Sequence, residues 1–142
     1  MAKIKNVKGR QVFDSRGNPT VEAEIFLDDG SSASAISPSG ASTGAFEAHE
    51  LRDEDQNKFL GKSVHTAVQN INNKISVKLK NLDFNQQENI DKILLELDGS
   101  ENKTNLGANA TLAVSLAYAK CNAIVNKQSL YKSLGKSYSL PV

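Results

Sequence analysis

A single cysteine, two histidines and a net charge of +1 over 142 residues exclude several classes of protein at once. Cys121 alone can form no intrachain disulfide, and its solitude fits a reducing compartment. It sits among Ala119, Ala123 and Ile124 in a helical stretch and reads as a small core thiol rather than a nucleophile. His49 and His65 have no metal-ligand spacing with each other or with Cys121. Acids and bases are interspersed, so no basic patch of the kind that grips nucleic acid is present. No apolar run reaches the length of a membrane span, and Met1-Ala2-Lys3-Ile4-Lys5 does not open a signal peptide. The expectation is a soluble, cytoplasmic protein. The two sequons, Asn102-Lys103-Thr104 and Asn109-Ala110-Thr111, then carry no meaning. There is no internal repeat and no low-complexity segment.

What is present has the length of one domain, long enough to bury a core without staples. The first forty residues read as strands. Ile4, Val7, Val12 and Phe13 lie in a stretch broken by Gly9. Val21, Ala23, Ile25 and Leu27 alternate with Glu22, Glu24 and Asp28, the period of a half-buried strand. Asp28-Asp29-Gly30 is a hairpin signal, because Asp tolerates and Gly prefers positive φ. A third strand is expected over about Ser31 to Ser37. Three strands joined by short turns predict an antiparallel meander.

From Pro38 to about Leu60 no period holds, and a long loop with at most a short helical piece is expected. The remainder reads as helices. Ser63 is expected to cap a helix presenting Val64, Val68, Ile71 and Ile75 on one face. Asn85 and Glu88 resemble a capping box, opening a helix with Ile90, Ile93, Leu94 and Leu97 inward and Gly99 at its end. A third helix, from near Gly107 to about Asn126, is rich in alanine and apolar almost all round, as befits a central helix against the sheet or another domain. A last short helix holds Leu130, Tyr131 and Leu134 before Gly135. Strands first and helices after predict an α+β fold.

Pro38-Ser39-Gly40-Ala41-Ser42-Thr43-Gly44 is the segment richest in chemistry. Small residues let backbone approach a ligand, and three hydroxyls with free amides suit an oxyanion or a hard cation. A plain flexible turn is the competing reading. Gly40-Ala41-Ser42-Thr43-Gly44 also fits the G-x-S-x-G nucleophile elbow. That motif needs a strand before it, a helix after it and a downstream acid and histidine in a parallel-sheet fold, and the order of elements here is wrong. Asp14-Ser15-Arg16-Gly17-Asn18-Pro19-Thr20 describes a rigid charged turn, structural or partner-facing, with no nucleophile–base pair. The acids Glu47, Glu50, Asp53, Glu54 and Asp55 could bind a cation, although a solvated face is the commoner meaning of such a run.

Asp14 to Glu22 followed by Pro38 to Gly44 resembles the N-terminal signature of the enolases. The resemblance continues through Glu50-Leu51-Arg52-Asp53, Gly61-Lys62, Leu97-Asp98-Gly99, Leu106-Gly107-Ala108-Asn109-Ala110 and Leu130-Tyr131, and covers essentially the whole chain. It implies an N-terminal meander-and-helix domain, residues 1–137. Residues 138–142, with Leu140-Pro141-Val142, look like the start of a linker to an α/β barrel absent from this chain. It implies a hydro-lyase interconverting 2-phosphoglycerate and phosphoenolpyruvate in glycolysis, with a Lys or His base and Mg2+. The base, the general acid and the first-metal carboxylates would lie in the barrel. By the same resemblance Gly40, Ala41, Ser42, Thr43 and Gly44 form a mobile lid, and Ser42 supplies hydroxyl and carbonyl oxygens to a second magnesium. Arg16 and Glu22 match positions that pair with the partner subunit of a homodimer or larger assembly. Bacterial enolases also associate with RNA-decay machinery or plasminogen, in the latter case from a cell-surface fraction. His49 and Ser63 depart from the family's usual residues without touching the expected ligand. The chain alone is expected to be inactive. The competing readings are a stand-alone interaction module with the same fold, and another member of the wider superfamily, such as a racemase. The serine-bearing loop disfavours the latter.

Overall fold

The computed structural model describes residues 2–84, 86–135 and 139. Three strands, β1 (Ile4–Phe13), β2 (Pro19–Leu27) and β3 (Ser32–Ser37), form an antiparallel meander in the order β1-β2-β3. A 3-10 turn (Phe59–Gly61) precedes a long helical rod: α1 (His65–Asn70), a π-helical stretch (Ile71–Ile75) and α2 (Ser76–Leu79). Then follow α3 (Gln87–Asp98), α4 (Ala108–Val125) and α5 (Leu130–Leu134). This is the expected α+β order. The expected Asn85 cap, the 137/138 boundary and the Leu140-Pro141-Val142 join lie outside the described residues.

Alternation in β2 buries Val21, Ala23, Ile25 and Leu27 on one face of the sheet. The helical rod covers that face over β1, and α4 covers it over β2 and β3. The other face carries Arg10, which pairs with Glu22 at 3.2 Å and also with Glu24 across the β1–β2 ladder. Burying each large aliphatic side chain of this core contributes about 1.5–3 kcal/mol.

Gly9 does not break β1. The strand runs through it, paired with Ala23. A Cβ there would sit 2.9 Å from Ile71 Cβ, so the bare backbone is what lets the rod approach the sheet. Asn72 seals the contact: its Oδ1 accepts from the Gly9 amide at 2.8 Å, and its Nδ2 donates to the Gly9 carbonyl at 3.2 Å.

Of the face expected for the rod, Val64, Ile71 and Ile75 are fully buried and Val68 is partly so; Ala67 and Leu79, also fully buried, complete the inward row. Steps of four drift around a 3.6-residue helix, and the wider π turn takes up that drift. Ser63 does not cap α1. Its hydroxyl donates to Asp53 at 2.7 Å, and the Asp53 carboxylate accepts from the amides of His65 (2.8 Å) and Thr66 (2.9 Å) instead. An acid twelve residues upstream does the capping.

α4 is central, as expected. Ala110, Ala113, Val114, Ala117, Tyr118 and Cys121 are fully buried, and Tyr118 stacks on Phe84 with ring centroids 4.3 Å apart. Its opposite side leaves Leu112, Leu116 and Ile124 exposed. No helix among the described residues is long and apolar enough to cross a membrane.

Candidate functional site

The loop that follows β3 leaves the sheet at Pro38 and meets no regular element until the 3-10 turn. Gly40, Ala41, Ser42, Thr43 and Gly44 are all exposed, as are residues 45–49. Across residues 41–48 the backbone bond from the Glu47 amide to the Gly44 carbonyl, at 3.3 Å, is internal to the loop. Ser42 therefore rides on an exposed segment. A groove of about 410 Å3 runs along the base of the loop, with Gly40, Glu47 and Ala48 on one side and Leu94, Leu95 and Leu112 on the other.

Both ends of the loop are tied down. At the near end, the Arg16 guanidinium donates to the carbonyls of Ser39 (3.2 Å) and Gly40 (3.4 Å) and lies 3.6 Å from Asp14. The Ser39 hydroxyl donates to Glu50 and accepts from Arg52 Nη2 at 2.9 Å. Arg52 also pairs with Glu50 and donates to the carbonyls of Pro19 (2.9 Å) and Lys62. At the far end, the His49 amide donates to the Asn102 carbonyl at 2.8 Å, and the Ala108 amide donates to the His49 carbonyl at 2.7 Å. Asn109 adds a two-way clasp on the Leu51 backbone, at 3.2 and 2.9 Å. Gly107 makes room for that clasp, since a Cβ there would meet Leu51 Cβ at 2.6 Å.

Three of the five acids in the run are engaged internally. Glu50 pairs with Arg52, Asp55 lies 3.6 Å from Lys58, and Asp53 caps α1. Burial would raise the Asp53 pKa, but the amides of Thr66 and His65 and the Ser63 hydroxyl outweigh it and hold the carboxyl down to about 2. Asp98, 3% exposed, accepts from the Leu106 amide at 2.7 Å and the Ser100 amide at 3.0 Å, and so shapes the turn that presents Asn102 and Ala108 to the loop. Burial again opposes these bonds, and the net effect lowers its pKa.

The model of the enolase N-terminal domain family matches residues 4–134. This chain belongs to that family. The enolase of Pelagibacter ubique (strain HTCC1062) is 54% identical to it over 143 residues, which cover 99% of this chain and 34% of that protein. The chain spans about a third of the length of the curated relative it matches.

For an enolase N-terminal domain the donor set matters. Among the described residues no group of three or more His, Cys, Asp or Glu side chains could hold a metal ion. Ser42 offers neutral oxygens from an exposed loop. Those oxygens fit a magnesium ion that takes its remaining ligands from water, substrate or another domain, because magnesium tolerates such shared coordination. Arg16 and Glu22, expected at a subunit contact, are held within the chain by the loop carbonyls and by Arg10. Sequence reading missed Glu50, Arg52, Asp98 and Asn109 as the fixtures of the loop. The available signal was an alternation of acid and base in Glu50-Leu51-Arg52-Asp53 without any helical or strand period.

Proposed function

We propose that this chain is the lid domain of an enolase, a hydro-lyase that dehydrates 2-phosphoglycerate to phosphoenolpyruvate reversibly. The identity of 54% across nearly the whole chain to a protein named enolase carries the reading. The exposed Gly40–Gly44 segment with fixed ends supports it, because a lid needs a movable middle on an immovable frame. In this reading Ser42 contributes its hydroxyl and carbonyl to a second magnesium site, and the domain is inert without the barrel. Magnesium supplies charge stabilisation at the substrate carboxylate. The chain's own residues do the rest: Gly40 and Gly44 allow the backbone to swing, Ser42 meets the site, and closure excludes water. Contacts through Arg16 and Glu22 to a second subunit belong to the same proposal and rest on the family resemblance. So do cytoplasmic residence, with any cell-surface fraction, and association with RNA-decay machinery or plasminogen.

The test joins this domain to its barrel and measures phosphoenolpyruvate formation against magnesium concentration. Ser42→Ala should weaken the second metal dependence by about tenfold or more and slow turnover, with the first unchanged. An unaltered magnesium profile in that variant would remove Ser42 from the site.

A further inference from the structure

We propose that Ser39, Glu50 and Arg52 form the neck of the lid and act as positioning residues for Ser42. This rests on the enolase reading for its catalytic consequence, and on geometry alone for its mechanical one. Ser39 and Glu50 are eleven residues apart, yet their side chains meet. The residues between them are all exposed, and among the described residues only the outermost, Gly40 and His49, are bonded to the rest of the fold.

The Ser39 hydroxyl uses its proton on Glu50 and accepts from Arg52, so its rotamer is held from two sides. Arg52 spreads its donors over Pro19, Ser39, Glu50 and Lys62, which belong to the start of β2, the two ends of the lid and the end of the 3-10 turn. A planar fork can serve several fixed acceptors at once, and a lysine ammonium on a flexible stem cannot reproduce that arrangement. Arg16 holds the main chain of the same neck through the Ser39 and Gly40 carbonyls. Ser42 lies three residues beyond this point. The neck therefore limits the freedom of the lid to the segment between Gly40 and Ala48 and keeps its two roots at one separation. A lid with a fixed root samples few misdirected closures, whereas a loosened root spends part of each closure out of register.

The experiment uses the protein with its barrel and compares Arg52→Lys, Ser39→Ala and Ser39→Thr, the last of which keeps the hydroxyl. Hydrogen exchange followed by mass spectrometry on peptides covering residues 36–53 is the first readout. Fast exchange should spread from the lid into residues 37–40 and 49–53 in R52K and S39A, by about tenfold in rate, and S39T should match the parent. The second readout is kinetic: KM and the magnesium half-saturation should rise about tenfold in R52K and S39A with kcat at saturation changed far less, and S39T should restore both. Exchange and KM identical to the parent in both R52K and S39A would overturn the neck. If R52K fails to fold, S39A against S39T decides in the same way. A parent protein with no enolase activity would overturn the enolase reading, and the exchange pattern would still decide whether the neck holds.

Discussion

Replacing Asp53 by alanine should destabilise the fold, and the cost can be worked out. The carboxylate accepts three hydrogen bonds, from the Ser63 hydroxyl and the amides of His65 and Thr66. Losing a helix cap costs about 0.5–2 kcal/mol. Ser63 is fully buried, so its stranded hydroxyl adds about 1–3 kcal/mol. Together these give roughly 1.5–5 kcal/mol, or a fall in Tm of about 5–20 °C for a domain of this size. The charge contributes separately. The folded carboxyl is held down to about 2 against an ordinary 3.8. A folded pKa below the unfolded one stabilises above the unfolded value, and that stability disappears as pH falls through the folded one. Asp53→Asn keeps the size and an acceptor but not the charge. It should therefore lie below the parent by about 1–2 kcal/mol near neutral pH, after screening of a part-exposed group, and converge with it between about pH 4 and pH 2. Denaturant unfolding followed by circular dichroism, repeated across pH, measures all three proteins. An alanine variant within about 0.5 kcal/mol of the parent, or an asparagine gap independent of pH, would refute the reasoning.

Gly9→Ala should destabilise by about 1–3 kcal/mol, because the new methyl group would meet Ile71 at 2.9 Å and push the rod off the sheet; urea midpoints read this, and a neutral result would mean the rod shifts freely. Cys121 is fully buried, and that burial, with a smaller push from Asp29, raises its thiol to about 11. It should therefore resist a thiol reagent in the folded protein and react fully in denaturant, and prompt labelling of the native state would contradict the core placement.

The meander was readable because β2 alternates without interruption and its hairpin has turn residues that leave little choice. α3 was equally legible, with Ile90 and Leu94 buried as its period required. The rod was harder. Its apolar row advances in steps of four, a pattern that makes sense only once the π turn is known, and nothing in Ile71-Asn72-Asn73-Lys74-Ile75 announces one. Gly9 misled for a related reason: its purpose lies in Ile71, sixty-two residues away, and a local reading sees only a weak strand former. In the site, the loop of Gly40 to Gly44 stood out through composition. Its fixtures did not, because Arg52 and Asn109 act through bonds to distant backbone and Asp98 through its own turn, and a polar residue that anchors a loop spells no differently from one that faces water.

The π turn also separates two kinds of tolerance. Asn73 and Lys74 are exposed, so the kind of residue at these positions is almost free. Their number has one to spare. Dropping one residue between Ile71 and Ile75 would let an ordinary helix form that covers nearly the same arc and rise with one residue fewer, so Leu79 would keep its place in the core. The same loss from the ordinary turns on either side would instead rotate everything beyond it by about 100°. Over evolutionary time the π stretch should accept substitutions and the loss of a residue, while the α turns that flank it hold their length.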